Sequence, residues 1–111
     1  MNPSELAKKQ CVPCRGGTPA LQGEALARLA RQVEGWKVEN QHHITKRFKF
    51  PDFARALEAV NRIGALAEDQ GHHPDLHLTW GEVGVTIWTH KVDGLTESDF
   101  ILAAKIDEVL S

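Results

Sequence analysis

Glu68-Asp69-Gln70-Gly71-His72-His73-Pro74-Asp75-Leu76-His77-Leu78-Thr79-Trp80 stands where the period of the sequence changes. Upstream of it, as far as Ala67, the apolar residues recur at helical spacing. After Pro74 they alternate, with Leu76, Leu78 and Trp80 on one side and His77 and Thr79 on the other. A period of 3.6 giving way to a period of 2 marks a helix that ends and a strand that begins. Gly71 is the natural helix stop, and Pro74 keeps the helix from resuming. His72 and His73 are therefore held at a backbone break, one turn beyond Glu68.

Working back from this junction, Phe53, Ala56, Leu57, Val60, Ile63, Gly64 and Ala67 trace one helical stripe that must bury against a sheet. Pro51 and Asp52 open that helix. Working forward, Val83 to His90 alternates as a second strand. Gly81-Glu82 suits a two-residue hairpin turn, which would pair Trp80 with Val83 and set His73 opposite His90. Trp80 would then face the helices with Leu76 and Leu78, and Trp88 would share the opposite sheet face with His90.

The flanks complete the pattern. Ala25, Leu26, Leu29, Ala30 and Val33 predict a first helix over 21–34, ended by Gly35. Strands over 36–39 and 43–50 form a hairpin across Asn40-Gln41-His42. Thr96 to Asp99 resembles a capping box that starts a last helix, apolar on several sides and so expected to meet a second copy. The order is α-β-β-α-β-β-α, an antiparallel α+β sandwich. Residues 1–20 read as an irregular extension and 21–111 as a single domain.

Composition narrows the function. A net charge of −2 leaves no basic excess for nucleic acid, and no apolar run is long enough to span a membrane. The N-terminus lacks the features of a secretory signal, so a cytoplasmic location is expected. Cys11-Val12-Pro13-Cys14 is followed by Arg15-Gly16-Gly17, not by a helix, and no second C-x-x-C exists to complete a zinc site. The two thiols read as structural or incidental.

His72, His73 and His90 with Glu68 make a group that can give and take protons near neutral pH. No serine or cysteine nucleophile is in evident reach, so general acid–base chemistry is the favoured reading. A metal site stays open, although adjacent histidines diverge and the carboxylate lies a turn back. His42, His43 and His77 read as ordinary polar strand and turn residues. Glu68 is placed to accept from a ring N–H, and Trp36, Trp80 and Trp88 offer flat apolar surface, with Trp88 the best placed for a pocket.

The spaced set Glu68, His72, His73, Pro74, Trp80, His90 and Asp99, with Gly35-Trp36 and Thr89-His90, resembles the pterin-4a-carbinolamine dehydratase family over roughly residues 20–110. The resemblance implies a four-stranded antiparallel sheet with helices on one face, in a homodimer or homotetramer. It implies removal of water from a 4a-hydroxytetrahydropterin without cofactor or metal, serving an aromatic amino acid hydroxylase. By position, His72 and His90 would be acid–base catalysts and His73 would bind and orient substrate. Glu68, Trp36, Trp88 and Thr89 would contact the pterin, and Asp99 would orient His90 or cap the last helix. The alternatives are a non-catalytic dimerisation or regulatory protein, suggested by animal members of the family, and a histidine–cysteine metal-binding protein.

Overall fold

Burial alternates along the strands and decides which face of the sheet meets the helices. The computed structural model describes residues 3–11 and 19–111, so Cys14 lies outside the described residues. The strands are β1 (Lys37–Glu39), β2 (His43–Lys49), β3 (Asp75–Thr79) and β4 (Glu82–Ile87). They form one antiparallel sheet in the order β1-β2-β4-β3. Ile44, Val83, Val85 and Ile87 are fully buried on its inner face. Each such side chain removed from water contributes about 1.5–3 kcal/mol.

The helices are α1 (Pro3–Ala7), α2 (Gly23–Ala30), α3 (Phe53–Gln70) and α4 (Glu97–Leu110). A 3-10 turn spans His90–Val92. All four helices among the described residues feed one core with the inner sheet face, through Leu6, Leu26, Ile63 and Phe100 among others. None of the described helices is long and apolar enough to cross a membrane.

α3 starts where expected, because the Asp52 carboxylate accepts from the Arg55 N–H at 2.8 Å. It stops at Gly71, whose φ of 63° is the left-handed conformation that glycine adopts without steric cost. Its buried stripe is Ala56, Ala59, Ile63 and Ala67, while Phe53 and Leu57 remain exposed. The predicted stripe is thus rotated towards the alanines, whose small side chains let the helix sit close to its neighbours.

Three further expectations change. β3 and β4 pair Thr79 with Glu82, so the turn is Trp80-Gly81 and the register lies two residues from the predicted one. A slip of two preserves the faces but moves His90 past His73 and into the 3-10 turn. Trp80, placed at the turn instead of the strand, is 69% exposed and not core. Finally, Pro3–Ala7 is helical where irregular chain was expected. α1 packs on α4 with Leu6 wholly buried, and the Lys105 ammonium donates to the Ala7 carbonyl at 2.7 Å. This segment of its own chain, with α2 and α3, packs on the apolar α4 that suggested a second copy.

Candidate active site

The strand registers bring five of the six histidines to one end of the sheet. His72 and His73 precede β3, His90 follows β4, and His42 and His43 stand at the start of β2. β4 runs antiparallel to both of its neighbours, so its end adjoins the beginnings of β2 and β3. This convergence follows from the central β2–β4 pairing, which no local turn signal announces.

His72 is the most enclosed of the motif histidines. Its Nε2 lies 2.6 Å from Asp99 Oδ1, and its side chain is 15% exposed against none for Asp99. Asp99 sits in the first turn of α4, where the exposed N–H groups favour a carboxylate. Its Oδ2 accepts from the Thr96 N–H and from the Thr89 hydroxyl, each at 2.8 Å. The single Thr89 proton is thereby used, so the Thr96 hydroxyl, 3.0 Å away, donates to Thr89. Three donors converge on one buried carboxylate, as a buried charge requires. Because a carboxylate only accepts, Nε2 of His72 carries the proton, and in the neutral ring Nδ1 keeps its lone pair.

This geometry corrects one expectation and supports another. Asp99 orients His72, not His90, and it does cap the last helix through Thr96. Thr89 is buried, and its hydroxyl faces Asp99. It braces the carboxylate.

His73 points to solvent and is held by the Glu68 carboxylate, both side chains being more than half exposed. His90 is exposed and stacks on Trp88, with ring centroids 4.4 Å apart and planes 38° apart. The bridge between Thr89 and Gly94 closes the turn that carries His90. Glycine is needed there, because a Cβ at Gly94 would lie 2.7 Å from the Ala20 methyl.

Trp36 lies elsewhere. Its indole N–H donates to Asp107 at 3.0 Å and its ring meets Phe48 edge-on, within the core. His42 and His43 were read as ordinary polar residues, yet both rings approach Trp88, at 5.5 and 6.2 Å. The signal that would have found them is the pairing of Ile44 with Ile87, which sets His43 beside Trp88. Cys11 reaches the edge of the site from the N-terminal segment. Its Sγ contacts the Ser98 carbonyl at 3.5 Å and its N–H donates to the Gln70 side chain at 2.9 Å. Burial pushes its thiol up to about 11; the Lys105 charge opposes this and the Asp99 charge adds to it. Among the described residues, no group of three or more His, Cys, Asp or Glu side chains is gathered as a metal site would need.

An antiparallel α+β sandwich with a part-buried histidine held on a buried aspartate at one sheet end is the class these features define. The sequence profile described as pterin 4 alpha carbinolamine dehydratase matches residues 19–109. A protein of Rubrobacter xylanophilus is 58% identical over 106 residues, covering 96% of this chain and 99% of its own. One of Alkaliphilus metalliredigens is 52% identical, covering 95% and 96%. Both are provisionally named pterin-4-alpha-carbinolamine dehydratase. Among solved structures, a transcriptional coactivator/pterin dehydratase from Brucella melitensis superposes with a TM-score of 0.77 at 31% identity, over 83% of this chain and 99% of that one. A pterin dehydratase-like RuBisCO assembly factor of the alpha-carboxysome, 22% identical with a TM-score of 0.61, shares the fold. The chain belongs to the pterin-4a-carbinolamine dehydratase family.

Proposed function

We propose that this protein removes water from a 4a-hydroxytetrahydropterin to give the quinonoid dihydropterin, with His72 and His90 as the proton-transfer pair. The observation that carries this reading is the buried Asp99 carboxylate on His72 Nε2. It holds the imidazole in the tautomer whose Nδ1 lone pair is ready to accept a proton. A carboxylate braced by two other donors and aimed at the ring in this way is the arrangement that orients histidine bases in many enzymes.

The reaction needs two proton movements. His72 Nδ1 takes the proton from N5, the N5–H electron pair becomes the N5=C4a double bond, and the C4a–O bond breaks. His90, in its imidazolium form, gives its proton to the departing hydroxyl, which leaves as water. The pair then exchanges one proton through solvent and is reset. Each imidazole contributes about 10²–10⁴-fold. Such modest help is enough, because the adjacent nitrogen already pushes the hydroxyl out.

His73 and Glu68 form an exposed pair suited to the polar edge of the pterin, and Trp88 offers a flat surface to its ring. The product is the form that a reductase returns to the tetrahydropterin used by aromatic amino acid hydroxylases. A non-catalytic dimerisation role through the last helix is the weaker reading, because α1 already lies on that helix.

The test is stopped-flow ultraviolet absorbance of freshly generated 4a-hydroxytetrahydropterin, with and without the protein, in excess EDTA. Decay faster than the spontaneous rate is the expected result. Decay at the spontaneous rate would refute the assignment.

A further inference from the structure

A second group of titratable side chains surrounds Trp88 and has no part in the steps above. His42, in the turn between β1 and β2, directs Nε2 to Asp93 Oδ1 at 2.7 Å. Its other ring nitrogen, Nδ1, lies 3.1 Å from Nδ1 of His43. Asp93 ends the 3-10 turn that begins at His90, and its N–H donates to the His90 carbonyl at 3.2 Å. That aspartate has a φ of 50°, a left-handed conformation that Asp and Asn adopt more readily than most residues, and the Thr89–Gly94 bridge closes the turn. The contact with His42 adds a tether from the β1–β2 turn, made to an Asp93 side chain that is 89% exposed.

The proton arrangement is determined by the partners. Asp93 accepts from His42 Nε2, and a single proton lies between the two Nδ1 atoms. Two N–H groups cannot face each other at this distance, so the pair remains intact only while His42 and His43 are not both imidazolium. His42 also lies 5.5 Å from the Trp88 ring, on which His90 stacks at 4.4 Å. Two paths therefore lead from His42 to His90, one through Asp93 to its backbone carbonyl and one through Trp88 to its ring.

We infer that His42 is a positioning residue for His90, fixing the turn through Asp93 and the ring through Trp88. The catalytic part of this inference rests on the dehydratase reading, whereas the geometric part stands without it. The test compares His42→Phe, which keeps a ring against Trp88 but removes both nitrogens, with Asp93→Gly, which keeps the left-handed turn but removes the carboxylate. Asp93→Asn, which keeps an acceptor oxygen and tolerates that turn, is the rescue variant. Imidazole Cε1–H resonances report the His90 ring without substrate, and stopped-flow dehydration reports turnover.

In His42→Phe and Asp93→Gly, the His90 resonance should lose most of the ring-current displacement that Trp88 imposes. Turnover should fall about tenfold with KM little changed, as expected for a misplaced catalytic group. Asp93→Asn should restore both, and the double variant should be no worse than either single one. An unmoved His90 resonance in both variants, with melting temperatures unchanged, overturns the inference. A moved resonance with unchanged turnover overturns its catalytic part. A wild-type protein that fails to accelerate dehydration refutes the dehydratase reading, while the resonances still decide whether His42 positions His90.

Discussion

Replacing Asp99 with asparagine tests the reasoning at its narrowest point. The wild-type carboxylate accepts from His72 at one oxygen and from Thr89 and Thr96 at the other. An amide has one oxygen, so it can satisfy Thr89 and Thr96 only by turning its NH₂ towards His72. His72 must then receive that donor on Nε2 and carry its own proton on Nδ1, which removes the Nδ1 lone pair. All side-chain groups remain paired, so the fold should survive. Exchanging a charged acceptor for a neutral one at the Thr89 and Thr96 contacts, and for a donor at His72, should cost about 1–3 kcal/mol. At this chain length that corresponds to a fall in Tm of about 5–15 °C. Turnover should fall further, by about 10²–10⁴-fold, because the base is present in the wrong tautomer. Stopped-flow dehydration measured below the new Tm, with thermal melts alongside, reads both quantities. Thr89→Val is the control: it removes one donor but leaves the carboxylate on His72, so it should lower Tm with a much smaller loss of turnover. If Asp99→Asn lost stability yet kept wild-type turnover, the tautomer argument would be wrong.

Three other outcomes are expected. Leu6→Asp places a charge at a fully buried position between α1 and α4 and should destabilise the protein by about 3–5 kcal/mol in urea unfolding; a near-neutral effect would mean that α1 does not dock there in solution. In a Cys14→Ser background, Cys11 should react with a thiol reagent slowly at pH 8 and steadily faster up to about pH 11. The same raised value gives a sign for stability: the half-buried neutral thiol contributes fully below its ordinary value of 9.0, and this contribution is lost as pH rises through about 11. Trp80→Ser should change stability by no more than about 0.5 kcal/mol, since the indole is an exposed turn side chain; a loss typical of a core tryptophan would refute the observed β3–β4 register.

The amino-acid sequence by itself determined the kinds of element and most of their ends. Gly71 stops one helix, Asp52 starts it, and the alternation around Val83, Val85 and Ile87 defines a strand, because these are local signals read within a few residues. The spaced histidines, with Glu68 and Asp99, also identified the family before any geometry was known. The register of a hairpin was not legible, since Trp80-Gly81 and Gly81-Glu82 are both plausible turns and only packing chooses between them. Tertiary structure alone assigned Asp99 to His72: α4 has to be laid over the helix-to-strand junction before the carboxylate meets that ring. It alone brought His42 and His43 to Trp88, through strands that pair across about forty residues of chain. It also turned the apolar excess of α4 into a seat for α1, a contact between the two ends of the described chain. Local pattern decides which elements form, and long-range packing decides which side chains meet.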